Sequence, residues 1–235
     1  NFEFSTASYD KHVYVVSSPG PSEGKTTVVS NLAIAISQTG KKVLVIDGDL
    51  RRPSLSRAFE GMSKTTGLSN YLADRNIDVS EVILTAKESA GVDVIPSGPI
   101  PPNPGELLAS NRFYELIEAI TDLYDFILFD SPPLLPVADA AVMASQVTGV
   151  MLVVDGQRTK SAALKASLAM IKNSKSPILG IVINKLKRRR FNYGYGYGYG
   201  YPYYRYYEYR SHDSNSDMEK NNSLVKRIFS KNFRR

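Results

Sequence analysis

VYVVSSPGPSEGKTTVVSNLAIAIS, Val13 to Ser37, runs through three local patterns in succession. Val13 to Ser17 is a short β-branched run, apolar nearly throughout, which suits a strand buried on both faces. PGPSEGKTT, Pro19 to Thr27, is a glycine-bearing loop. Val28, Val29, Leu32, Ala33 and Ile36 then keep a helical stripe, which Gly40 can end in a left-handed conformation. Strand, loop and helix start together supply what an anion cradle requires, because backbone N–H groups converge there and the helix dipole favours negative charge. In that reading Lys25 reaches the outer phosphates of a nucleotide, Thr26 offers its hydroxyl to a magnesium ion, and Gly24 lets the backbone approach without a side chain. Gly20, Ser22, Glu23 and Thr27 complete the nucleotide-binding loop. The strict pattern asks for glycine five positions before Gly24, whereas Pro19 stands there and Gly20 follows. As a bare string the segment also fits an ordinary strand-to-helix turn.

The same alternation continues along the chain. Strand-like runs recur at Val43 to Asp47, Val92 to Pro96, Phe126 to Asp130, Val150 to Val154 and Ile178 to Asn184, and Phe113, Leu116, Ile117 and Ile120 repeat the helical spacing. Strands and helices alternating at this pace predict crossovers and a mainly parallel sheet covered by helices on both faces, with ligands at the strands' carboxyl ends. IPPNPG, Ile100 to Gly105, reads as an irregular, rigid connector because of its prolines. VLVIDGDLRRP brings Asp47 and Asp49 off one strand, and FILFDSPP brings Asp130 off another. A buried strand ending in aspartate is costly unless the charge meets a cation or donors. Each aspartate alone also suits a helix N-cap. Jointly with Lys25 and Thr26 they form the inventory that phosphoryl transfer uses, able to hold hydrated magnesium and to accept a proton.

The 235 residues, 43% of them hydrophobic, fit one α/β domain with a tail. With no cysteine, disulfides, thiolate nucleophiles, iron–sulfur clusters and cysteine-ligated zinc are excluded. No apolar run approaches the roughly 18 to 20 residues of a membrane helix. The net charge of +6 divides unevenly: Asn1 to Asn184 holds 16 Lys and Arg against 19 Asp and Glu, and Lys185 to Arg235 holds 13 against 4. The first part is thus mildly acidic at −3 and the tail basic at +9, so no basic face of the folded part points to nucleic acid. Composition changes abruptly after Asn184, to KLKRRRFNYGYGYGYGYPYYRYYEYR. We therefore expect a nucleotide-binding domain over 1–184 and a flexible, disordered tail over 185–235. The first residue is asparagine, and the chain reads as part of something longer.

PSEGKTT, VLVIDGDLRRP, FILFDSPP, PPNPGELL (Pro101 to Leu108) and the clustered tyrosines resemble the bacterial protein-tyrosine kinases that accompany polysaccharide export. The likeness spans essentially the whole chain. It implies a P-loop NTPase fold like that of the partitioning ATPases, ATP (or ADP) with Mg2+ as cofactors, and an autokinase that phosphorylates its own kind. By resemblance Lys25 and Thr26 bind phosphate and magnesium, Asp49 and Asp130 hold the hydrated metal, and Asp47 activates the tyrosine hydroxyl. Asn184 then lies near the adenine, with packing or capping as the ordinary alternative. The resemblance further implies ring-like self-association through an upstream helix that this chain starts too late to include. It also implies activation by a membrane polysaccharide co-polymerase segment, fused or separate, a cognate tyrosine phosphatase, and a place on the cytoplasmic side of the bacterial inner membrane, with this fragment itself soluble.

Ten of the 15 tyrosines fall between residues 193 and 209: Tyr193, Tyr195, Tyr197, Tyr199, Tyr201, Tyr203, Tyr204, Tyr206, Tyr207 and Tyr209. No core-packing account explains that density, and the intervening glycines ease entry into a site in extended form. These are the expected phosphoacceptors. Each phosphotyrosine adds about −1.5 to −2 charges, so roughly five or six would cancel the tail's +9. The alternative is a non-kinase ATPase of the partitioning or positioning type. Those proteins carry a lysine four residues before the glycine of their GKT, a position held here by Gly20.

Overall fold

A computed structural model describes residues 12–59, 66–86 and 91–186. Seven strands form one sheet: β1 (Val13–Ser17), β2 (Val43–Asp47), β3 (Leu84–Thr85), β4 (Val92–Ile95), β5 (Phe126–Asp130), β6 (Gly149–Asp155) and β7 (Ile178–Asn184), in the order β3-β4-β2-β5-β1-β6-β7. All pairs are parallel except β3 with β4. The helices are α1 (Lys25–Ser37), α2 (Leu68–Ala73), α3 (Pro104–Leu108), α4 (Asn111–Thr121), α5 (Asp139–Ala144) and α6 (Ser161–Asn173). The tyrosine cluster and the basic tail beyond Leu186 lie outside the described residues.

Period-two alternation divides the core into two layers. Tyr14, Val16, Val43, Val45, Val92, Val94, Leu128 and Val153 join Val29, Ala33 and Ile36 of α1 on one face. Val15, Leu44, Ile46, Ile95, Ile127, Phe129 and Leu152 join residues of α2, α4, α5 and α6 on the other. The predicted doubly covered, mainly parallel sheet is thus the observed one.

Three local readings change. β3 is too short, at two residues, to leave a periodic signal. IPPNPG is not irregular throughout, because Pro104 opens α3 and Gly105 lies inside it; proline's missing N–H and fixed φ suit a first helical turn. The strand Ile178–Asn184 is not buried on both faces: Ile178, Ile181 and Ile183 are exposed, and β7 is one of the sheet's two edge strands. An apolar run reports strand character and not position in the sheet.

Candidate active site

β1 carries the chain to the carboxyl edge of the sheet, where the loop turns into α1. Two residues of that loop are left-handed, Ser22 at φ 61° and Gly24 at φ 98°. Gly24 meets a second constraint, because a Cβ there would stand 2.1 Å from Nδ2 of Asn184. That amide donates to the Glu23 carbonyl at 2.9 Å, so the end of β7 backs the loop. We expect Gly24→Ala to combine backbone strain with displacement of Asn184, weakening ADP binding more than ~10-fold in calorimetry; unchanged affinity would contradict it. Pairing it with Asn184→Ala is expected to recover only part of the loss, since the φ strain remains.

The parallel register does for the aspartates what sequence spacing alone could not. Asp47 of β2 sits directly opposite Asp130 of β5, and Val16 of β1 is registered with Asp130 on its other side. Both carboxylates are nearly sealed, at 1% exposure each. Thr26 at the start of α1 donates its hydroxyl to Asp130 Oδ2 at 2.5 Å and lies 2.9 Å from the Ser54 hydroxyl. Lys25, also buried, lends positive charge to the same carboxylate. Asp130 Oδ1 is buried without a hydrogen-bond partner. Burial first, and then the neighbouring charges of Asp47 and Asp49, push Asp130 up to about 7 against the opposing pull of Thr26 and Lys25.

Asp47 is tied into the backbone of the loop that follows β2. Its Oδ2 accepts the N–H groups of Ser54 at 3.1 Å and Leu55 at 2.9 Å, pinning the start of a 3-10 turn, and its Oδ1 accepts that of Asp49 at 3.3 Å. Burial still raises it to about 6, the Leu55 N–H opposing and the charge of Asp49 assisting. Asp49 accepts the N–H of Arg52 at 2.9 Å. The intervening Arg51 forks onto Asp139 at the start of α5, at 2.7 and 3.1 Å, with Gly105 of α3 packed against that carboxylate. The loop after β2 is therefore tied down on both sides of Asp49.

Among the described residues no three His, Cys, Asp or Glu side chains are close enough to hold an ion by themselves. An orphaned, buried carboxylate oxygen beside a threonine hydroxyl is nevertheless a hard, all-oxygen donor set, which fits magnesium shared with phosphate oxygens better than a dedicated protein cage. Thr26 and Asp130 supply that donor set.

Sequence reasoning missed Ser54, Thr159, Asp155 and Lys185. Asp155 ends a buried strand as Asp47 and Asp130 do, so the same signal marks it in VMLVVD. It pairs with Lys185 at 3.2 Å and accepts the N–H of Gln157 at 2.9 Å. Thr159 and Lys185 carry no sequence signal, being brought to the loop only by the pairing of β6 with β1 and of β7 with β6.

A family model described as an AAA domain matches residues 20–179. The tyrosine-protein kinase YwqD of Bacillus subtilis is 40% identical over 188 residues, covering 80% of this chain and 78% of that protein. The tyrosine-protein kinase wzc of Salmonella typhimurium is 35% identical over 191 residues, covering 80% of this chain but 26% of its own length. Among solved structures, the kinase domain of the Escherichia coli tyrosine kinase ETK superposes with a TM-score of 0.76 at 36% identity, covering 83% of this chain and 76% of that one. The cell division ATPase MinD of Pyrococcus furiosus reaches 0.62 at 28%, over 74% and 71%. With its loop, its paired strand-end aspartates and its sheet order all of one type, and with relatives of this similarity, the chain belongs to the bacterial protein-tyrosine kinase family.

Proposed function

We propose that this chain is an ATP- and magnesium-dependent protein-tyrosine autokinase acting on Tyr193 to Tyr209, chiefly between neighbouring subunits, and that it regulates production and export of extracellular polysaccharide. The observation that carries the reading is the buried pair Asp47 and Asp130, set opposite each other at the mouth of a phosphate loop, one with an unpartnered oxygen and both with pKa values raised toward neutrality. A base poised near the working pH is best suited to accept a proton from an attacking hydroxyl. A phenol, titrating near pH 10, has to lose its proton as it attacks phosphorus. Asp47 is the candidate for that step; its three backbone donors fix its orientation. Lys25 and the amides at the start of α1 bind and orient the triphosphate. Magnesium, when bound, neutralises charge on the phosphate oxygens. Asn184, beside the loop at the end of β7, borders the nucleotide. β7 ends at the same carboxyl edge, and Tyr193 lies nine residues past Asn184 in sequence, about 30 Å at full stretch.

The same reading includes activation by a membrane co-polymerase segment, ring assembly when an upstream helix is present, reversal by a tyrosine phosphatase, and work at the inner face of the membrane. No helix among the described residues is long and apolar enough to cross a membrane. Incubation with labelled ATP and magnesium followed by peptide mapping tests the reading. Label on Tyr193 to Tyr209 is expected. Free phosphate alone would favour a positioning-type ATPase, and neither product would leave a binding protein.

A further inference from the structure

The phosphate loop contains a buried carboxylate that its anion-binding task does not call for. Glu23 is 8% exposed and lies between the two left-handed residues, Ser22 and Gly24. A negative charge at this place should repel phosphates, and burying it without partners would be costly. The structure gives it three donors. Oε1 accepts the N–H of Gly20 at 3.0 Å, and Oε2 accepts the Thr159 hydroxyl at 2.9 Å and the Asp155 N–H at 3.2 Å. The Glu23 carbonyl receives the Asn184 amide, and the Ser22 carbonyl receives the ammonium of Lys185, which also pairs with Asp155. One residue thus closes the loop on itself and fastens it to the Asp155–Thr159 turn and the end of β7.

This contact also bears on the departure noted in the sequence. The strict loop pattern has glycine where Pro19 stands. Here the turn is closed by a side chain instead, and the Gly20 N–H is committed to Glu23 rather than free for an anion.

We propose that Glu23 is a positioning residue: it holds the phosphate loop in its anion-receiving shape, through Gly20 on one side and Thr159 on the other, without touching nucleotide. The proposal rests on the nucleotide-site reading above. Because the action passes through loop geometry, it affects binding more than the chemical step.

The test measures ADP affinity with magnesium, and KM for ATP against kcat, in the full chain carrying Glu23→Ala, Thr159→Val, Thr159→Ser or the Glu23→Ala/Thr159→Val pair. Glu23→Ala is expected to weaken ADP binding and raise KM by about 10- to 50-fold with kcat within about 3-fold. Thr159→Val is expected to weaken both by roughly 3- to 10-fold, and Thr159→Ser, which keeps the hydroxyl, to restore them. The double variant should bind no more weakly than Glu23→Ala alone, because both changes break the same connection. A collapse of kcat at unchanged KM, wild-type behaviour of Thr159→Val, failure of Thr159→Ser to restore affinity, or additive losses would each overturn the positioning role. Should Glu23→Ala not fold, the two Thr159 variants decide alone. Absence of ADP binding by the wild-type chain would instead defeat the nucleotide site itself.

Discussion

Lys25→Met is expected to reduce phosphate transfer to the tail tyrosines by about 10²- to 10³-fold or more, the range found when one preorganised charge or donor is removed from a reacting centre. Lys25 is the first residue of α1 and is buried, close enough to Asp130 for its charge to pull that carboxylate's pKa down. Its loss acts twice. On the proposed reading the triphosphate loses a cation that binds it, and Asp130 loses one of the two influences that hold its pKa down. Methionine approximates the volume of the stem, so the helix and the α1 face of the core should persist, checked by an unchanged circular dichroism spectrum. The same variant can test transfer between molecules. Mixed with a chain whose ten tail tyrosines are phenylalanine but whose Lys25 is intact, the Lys25→Met chain should acquire label on its tail. Label that never appears in the mixture would confine transfer to within one molecule, and full labelling of Lys25→Met alone would remove Lys25 from the reaction.

How legible this was in the sequence follows from which interactions are local. The strand, loop and helix of residues 13–37 are encoded by neighbours in the chain, and each of the six periodic strands appears where its apolar run lies. Asp47 and Asp130 were recognisable as strand-ending carboxylates, but their facing register depends on β2 pairing with β5, which no spacing along the chain announces. Pairs separated by long stretches of chain are harder still. Glu23 meets Thr159 across 136 residues, and Arg51 meets Asp139 across 88. In sequence these are a loop acid, a surface threonine, one arginine of a pair and an aspartate among alanines. Only the sheet order β5-β1-β6-β7 makes the first pair neighbours. Fold class was therefore written in periodicity, the candidate site's carboxylates in residue type, and the bracing around them in topology alone.

Asp130→Asn is expected to separate stability from activity, stabilising the nucleotide-free protein at pH 8 while lowering transfer by at least about 10²-fold. The ionised form of Asp130 is disfavoured in the native state by burial and by the charges of Asp47 and Asp49, with Thr26 and Lys25 opposing, and its pKa stands near 7 instead of 3.8. Below about pH 4 both the folded and the unfolded chain hold the proton, and pH has little effect through this group. Between about 4 and 7 the folded chain keeps a proton that the unfolded chain has released, so stability falls as pH rises through that window. A shift of this size corresponds to a ceiling of about 4 kcal/mol at pH 8. Asparagine removes the titration but brings an amide where Asp130 Oδ1 has no partner, which leaves a net gain on the order of 1 to 2 kcal/mol, or several degrees in Tm. Melting curves of the nucleotide-free wild type should therefore fall from pH 5.5 to pH 8, with a shallower slope in Asp130→Asn, where Asp47, raised to about 6, still titrates. Added ADP and magnesium should stabilise the wild type most at high pH, where the carboxylate is ionised and awaits a cation, and should stabilise the variant much less. A wild-type melting temperature that rises between pH 6 and 8, or an Asp130→Asn protein that is less stable at pH 8 yet still transfers phosphate, would show that this carboxylate is a structural anchor and not the acceptor of a metal-bound nucleotide.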